Sequence, residues 1–314
     1  MSRLAYLLSD SGSCFDLSGL FFYGFFRLNA KFASANCTLQ EMKRLILPLL
    51  AILFLLPNAE GQLFDSDIYN VNPYVDGAIT LGAFVTNYWG LRMVDRKPHL
   101  DSTEIANLDA NDINAFDRSA TEQDADFMRQ AWKISDVGMT GSFFLPVLLM
   151  FDKEIRQDWA PTLLLFLETE AIVGNLFSWG SAIHIDRIRP LVYHPDVSYE
   201  DKTYKRNKNS FYSGHTSSSA AASFFVAKVY CDYHPELGAK KFIFYGLAVI
   251  PPAFTGFYRY KGMKHFPTDV LTGLAVGATT GILVPHLHKK RKNENLTIIP
   301  VAGHYTGFAM SLKF

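Results

Sequence analysis

Apolar and polar positions fall in long blocks along most of this chain, and only the tail alternates. Residues 76–94 are apolar, with glycines at 77, 82 and 90. Residues 121–151 carry Arg129, Lys133 and Asp136 in their first half and are apolar in the second. Residues 159–188 are apolar apart from Glu168, Glu170 and a charged end, and further blocks lie at 214–230, 238–258 and 267–288. Blocks of this length suit helices better than strands. Pro190 ends the third, because the residue before a proline is pushed out of the helical region. Pro251 and Pro252 kink the fifth. The acidic run at 107–118 lacks the spacing of a calcium loop and reads as solvated surface. In the tail, Phe308, Met310, Leu312 and Phe314 alternate with Ala309, Ser311 and Lys313, as in a strand, and 297–301 is a plausible partner across a turn near Gly303. One hairpin cannot make a barrel. The expected fold is mostly α: a six-helix bundle with a small C-terminal β-hairpin.

The amino terminus changes this picture. Met42-Lys43-Arg44 precede an apolar run at 45–56, and Ala59-x-Gly61 follows it. A charged start, an apolar centre and small residues at the end form a secretory signal. Residues 42–61 are therefore expected to be removed, with the mature chain beginning near Gln62. Met42 is expected to be the true start, and residues 1–41 a non-native or disordered leader without a fold of their own. The helical domain is expected over 62–295 and the hairpin over 296–314. Cys14 and Cys37 lie in the leader, so Cys231 stands alone and no intrachain disulfide is expected.

Thirty Lys and Arg balance thirty Asp and Glu, so the chain has no formal net charge and nothing suggests a nucleic-acid partner. The 49% hydrophobic content raises membrane contact. Blocks 76–94 and 238–258 come close to the roughly 20 apolar residues a span needs, whereas the charges in 121–151 and 159–188 are costly in lipid. A cleaved signal starts the mature chain outside the cytoplasm, and three spans would then carry Arg189 inside. The expected location is periplasmic or cell-envelope, with attachment to the membrane.

The chemistry gathers between 186 and 269. Arg189 and Arg259 are fixed cations whose forked donors grip a tetrahedral oxyanion. Ser213-Gly214-His215 opens a small-residue helix, where backbone N–H groups approach an anion. Ser213 could equally be an N-cap. His215 and His265 can exchange protons or attack near neutral pH. Asp269, one turn after His265, could fix its tautomer. Asp186, His184 and His194 are not spaced as a metal site. The residues point to phosphoryl chemistry with no required metal or cofactor.

These residues resemble the phosphatidic acid phosphatase type 2 superfamily, which includes bacterial class A acid phosphatases and vanadium haloperoxidases. Its motifs are Lys-x6-Arg-Pro, Pro-Ser-Gly-His and Ser-Arg-x5-His-x3-Asp. The chain matches with Arg189-Pro190, Ser213-Gly214-His215 and Arg259-x5-His265-x3-Asp269, in that order. It departs at Ala182, Tyr212 and Tyr258, where the family has Lys, Pro and Ser. With its flanking helices the resemblance covers roughly 73–288. It implies that His265 is the nucleophile forming a phosphohistidine, oriented by Asp269, and that His215 is the general acid. Arg189, Arg259, Ser213 and Gly214 would bind the phosphate of a phosphomonoester or of a lipid phosphate or diphosphate headgroup. Ala182 removes a cation, for which Arg206 or Lys208 could substitute. The alternatives are a catalytically weakened phosphate-binding envelope protein and a vanadium-dependent haloperoxidase.

Overall fold

The computed structural model describes residues 63–290 and the backbone of 296–301 and 307–312. The expected leader and signal cleavage site lie outside the described residues. Six helices of twelve residues or more form the bundle: α1 Val75–Val94, α2 Ala125–Ser142, α3 Trp159–Phe177, α4 Gly214–Tyr233, α5 Ile250–Lys261 and α6 Pro267–His288. The expected count of six is nonetheless too low. Short helices at Ser102–Ala106, Ala115–Arg118, Lys153–Gln157, Pro190–Tyr193, Tyr199–Lys202 and Lys241–Leu247 occupy the connectors.

Local chemistry explains the shifted boundaries. Asp124 caps α2 by accepting from the N–H groups of Asp126 and Phe127, so the helix starts later than its apolar pattern. It ends at Ser142, and a 3-10 segment continues over Leu145–Phe151 with Pro146 near its start. Helix α3 stops at Phe177 and unwinds through a π turn, Ser178–Ala182. The expected single helix across 238–258 is instead two helices. Pro251 and Pro252 lie at the start of the second, where a missing N–H costs nothing.

Helices α4 and α6 form the tightest crossing. Gly273, Gly277 and Gly281 recur every fourth residue on α6, and a Cβ at these positions would run into the carbonyl oxygens of Ser213, Ser217 and Ala221 on or beside α4. Only hydrogen at those positions lets the backbones approach this closely. The crossing holds the start of α4 against the start of α6, where Ser213 N–H donates to the Asp269 carbonyl at 3.1 Å. A core of Leu165, Phe166, Phe225 and Val229 fills the space between α3 and α4.

Among the described residues, three helical stretches are long and apolar enough to cross a membrane: Ala125–Phe151, Trp159–Ala182 and Pro267–His288. These are not the two stretches expected from sequence. Glu168 and Glu170, which counted against the second, are 5% and 6% exposed and face the protein interior. Beyond the bundle, β1 Leu296–Val301 pairs antiparallel with β2 Gly307–Leu312, Leu296 opposite Leu312 and Val301 opposite Gly307.

Candidate active site

The site begins with an extended segment. After the π turn, residues 186–189 leave helical geometry, and Arg187 pairs with Asn209 in an isolated parallel bridge. Arg189 N–H donates to the Asn207 carbonyl at 2.9 Å. Ala182 and Arg189 therefore share no helical face, and the seven-residue relation between them carries no geometry here. Ala182 is fully buried, and its carbonyl accepts from Lys97 Nζ at 2.9 Å.

Arg187 braces the site from behind. Its guanidinium bonds Asp269, Asp117 Oδ2 at 2.7 Å and Thr268 Oγ1 at 2.9 Å, and lies over the Phe266 ring. Asp117 is fully buried and also accepts from Thr268 N–H at 2.9 Å. Most of the acidic residues in 107–118 are exposed, as expected, but Asp117 is buried and fastens the start of α6.

His265 lies in the loop between α5 and α6, 2% exposed. That loop is fixed by Trp132 Nε1 donating to the Gly262 carbonyl at 2.6 Å, Leu191 N–H donating to the Met263 carbonyl at 3.0 Å, and Lys264 N–H donating to the Arg259 carbonyl at 3.0 Å. Met263 takes a left-handed φ of 52°, a strained conformation for a non-glycine residue that this framework holds in place.

His265 Nδ1 donates to the Ser210 carbonyl at 2.6 Å. A carbonyl only accepts, so Nδ1 bears the proton and Nε2 keeps its lone pair. Asp269 does not orient the ring directly, as was expected: its Oδ2 is 4.0 Å from Nδ1. It accepts instead from Ser210 Oγ at 2.6 Å and Phe266 N–H at 2.9 Å. Asp269 thus holds Ser210, and Ser210 holds the imidazole. Burial, Arg259 and Arg189 push the His265 pKa well below its ordinary value, so the ring is neutral.

The charges of Arg189 and Arg259 both act on this histidine, and Arg259 is 5% exposed. Burial lowers the Arg189 pKa to about 9 and that of Arg259 to about 10, with Arg259 adding to the effect on Arg189. The Nε atoms of both are buried without a hydrogen-bond partner. Unpaired buried donors are costly, and an anion between them would satisfy both.

Lys264 is a cation that sequence reasoning missed. It is 9% exposed, and its Nζ lies 3.5 Å from the centroid of the Trp132 ring. Burial, Arg189 and Arg259 depress its pKa well below the ordinary lysine value, which places it in the same positive field. The substitutes expected for Ala182 are already engaged: Arg206 Nε with Asp95, and Lys208 Nζ with Glu104 Oε1 at 2.6 Å. The signal for Lys264 was its place beside His265.

His215 follows the N-cap of α4. Its Nε2 donates to Asp136 Oδ1 at 3.0 Å, and Asp136 also lies 3.6 Å from Arg259 Nη1. Burial and the Arg259 charge lower its pKa to about 4, against the opposing pull of Asp136. Ser213 Oγ accepts from Thr216 N–H at 3.4 Å and pairs with Thr216 Oγ1 at 2.8 Å, so the side chain caps the helix. Gly214 sits where a Cβ would press on the Phe177 ring. Tyr212, at the position of the motif proline, packs edge-on against Phe177.

The PAP2 superfamily model matches residues 159–293. No curated protein matches the chain. A solved structure similar to it is that of a transmembrane PAP2-type phosphatidylglycerolphosphate phosphatase from Bacillus subtilis. The identity is 21% over 66% of this chain and 94% of that one, with a TM-score of 0.39, a likeness too loose to carry fold or activity across. The family match contains Arg189, His215, Arg259, Lys264, His265 and Asp269, in the arrangement described above. Over residues 159–293 this chain is similar to the PAP2 superfamily.

Proposed function

We propose that the protein is a membrane-associated phosphatase that hydrolyses a phosphomonoester, or a lipid phosphate or diphosphate, outside the cytoplasm. The observation that carries this reading is a buried neutral histidine with a free Nε2 beside two guanidiniums whose Nε donors lack partners. His265 Nε2 attacks phosphorus as the bond to the leaving oxygen breaks. His215 gives that oxygen its proton. It then takes a proton from water, which attacks the phosphohistidine and releases phosphate and neutral His265. Arg189, Arg259 and Lys264 stabilise the equatorial oxygens, with Lys264 supplying the cation that Ala182 lacks. Asp136 supports the charged form of His215, and Asp269 positions His265 through Ser210.

Two features support a lipid substrate. The three long apolar stretches are of membrane-spanning length, and His265 lies in the loop directly before one of them, α6. Large apolar side chains are also exposed on the helical surface, among them Phe151, Phe242, Ile250 and Leu287. The secretory pattern at 42–61 supports an extracytoplasmic site.

The test is phosphate release across lipid phosphates, isoprenoid diphosphates, nucleotides and aryl phosphates, with His265→Ala as control and vanadate as inhibitor. Release that requires His265 and stops with vanadate is expected. Vanadate binding without turnover of any substrate would leave a phosphate-binding protein instead.

A further inference from the structure

We infer that Asp76, Glu168 and His288 form a divalent-metal site that ties α1, α3 and α6 together at the end of the bundle away from the reacting histidines. Asp76 is in the first turn of α1, Glu168 in the middle of α3, and His288 the last residue of α6. One ligand atom from each lies within 4.8 Å of the others. Asp269 and His288 are nineteen residues apart on α6, about 29 Å at 1.5 Å per residue, so this cluster is remote from phosphate.

The ring orientation is the first argument. His288 Nδ1 donates to the Val284 carbonyl at 2.9 Å, which leaves the lone pair of a neutral ring on Nε2. That nitrogen faces Asp76 Oδ1 and Glu168 Oε2, each at 3.7 Å. Metal-binding histidines typically donate their other N–H to a carbonyl in this way.

The spacing is the second. A protonated ring bonding to either carboxylate would approach within about 3 Å. Nε2 instead stands equally far from both. Ligands about 2.0–2.2 Å from a common zinc ion are separated by roughly 3.3–3.6 Å in a tetrahedron, close to the two 3.7 Å separations from Nε2.

The third is burial. Glu168 is 5% exposed, and its Oε2 has no hydrogen-bond partner. Asp76 is 7% exposed, and its other oxygen accepts from Asn72 N–H at 2.7 Å, which aims Oδ1 at the cluster. The His288 carbonyl accepts from Asn70 N–H at 2.8 Å. Two converging buried carboxylates are costly unless a cation joins them, and a dication cancels their charge. One imidazole with two carboxylates suits zinc, with manganese and ferrous iron as competitors.

The experiment uses the full tag-free chain in detergent. Metal analysis by mass spectrometry is expected to give about one equivalent of a divalent first-row metal per chain. Stripping with chelator should lower the unfolding midpoint. Zinc at about 100 times its Kd should then raise it by about 5–10 °C. Glu168→Gln and the milder Asp76→Asn should each lose the metal and the shift. A wild-type chain with no bound metal, and no response to zinc, manganese or ferrous iron, overturns the site, as does a shift retained by both variants. None of these readouts depends on phosphatase activity.

Discussion

The Ser210 carbonyl accepts from His265 Nδ1 at 2.6 Å, and this one bond leaves the lone pair of the neutral ring on Nε2, the nucleophile of the proposed mechanism. His265→Ala is therefore expected to abolish turnover on every substrate, with no phosphoenzyme burst in rapid mixing. Asp269 is linked to the carbonyl that holds the imidazole through Ser210 Oγ. Ser210→Ala cuts that link while keeping the carbonyl, so kcat should fall while KM changes little. A misplacement near 1 Å can cost roughly 10²-fold, which is the upper bound for this variant. A changed KM with kcat intact would reject the positioning role.

Lys264 gives the sharpest test of how the site manages without a motif lysine. Lys264→Met keeps an apolar stem over Trp132 and removes the charge. Loss of one preorganised donor should lower kcat by roughly 10²- to 10³-fold. If Lys264 only packs on the indole, Lys264→Met will be nearly as active as wild type. Ala182→Lys should not rescue it, because position 182 is fully buried and its carbonyl is held by Lys97.

Much of this candidate site was legible from the resemblance to the family motifs. Arg189, His215, Arg259 and His265 stand in the order the motifs require, and the fold brings their charges together. The long apolar blocks overlap all six long helices, because runs of that length suit helices better than strands. Their ends were less legible, since a single cap at Asp124 or the π turn after Phe177 outweighs hydropathy. Asp136, Ser210 and Asp117 escaped notice for a different reason. Each acts across 55 or more residues of chain, on His215, His265 and Thr268 respectively, and no local pattern reports such pairings.

The α4–α6 crossing should be intolerant of a single methyl group. Gly277→Ala places Cβ against the Ser217 carbonyl, which is backbone and cannot swing aside. Overpacking of this kind costs about 1–3 kcal/mol, and the two backbones must separate. A lower thermal midpoint is expected, measured beside Gly141→Ala, where a Cβ meets nothing within 4 Å. Equal stability of the two variants would refute the close-approach argument.

If His215 is the acid, its low pKa and the second pKa of the substrate together shape the pH dependence of the reaction. Without substrate, burial and Arg259 lower the His215 pKa to about 4, so the free ring is neutral at pH 7. An acid that is neutral at rest must obtain its proton as substrate binds. A phosphate monoester with a second pKa near 6 can bring one, while its negative charge offsets the arginine field. The productive pair is then neutral His215 with monoanionic substrate. For such a monoester, kcat/KM should be level between about pH 4 and 6. It should fall roughly tenfold per unit above that as the monoanion is lost, and fall again below pH 4 as free His215 gains a proton. Asp136→Asn removes the group that favours the charged ring, so it should slow alkyl phosphates, whose leaving oxygen needs a proton, more than nitrophenyl phosphate. His215→Ala should show the same selectivity more strongly, by roughly 10²-fold or more on the alkyl substrate. The comparison is made on the phosphorylation step, because any loss of phosphate contact would affect both substrates alike. Equal losses on the two substrates, or a kcat/KM that climbs from pH 5 to 8, would remove His215 from the acid role.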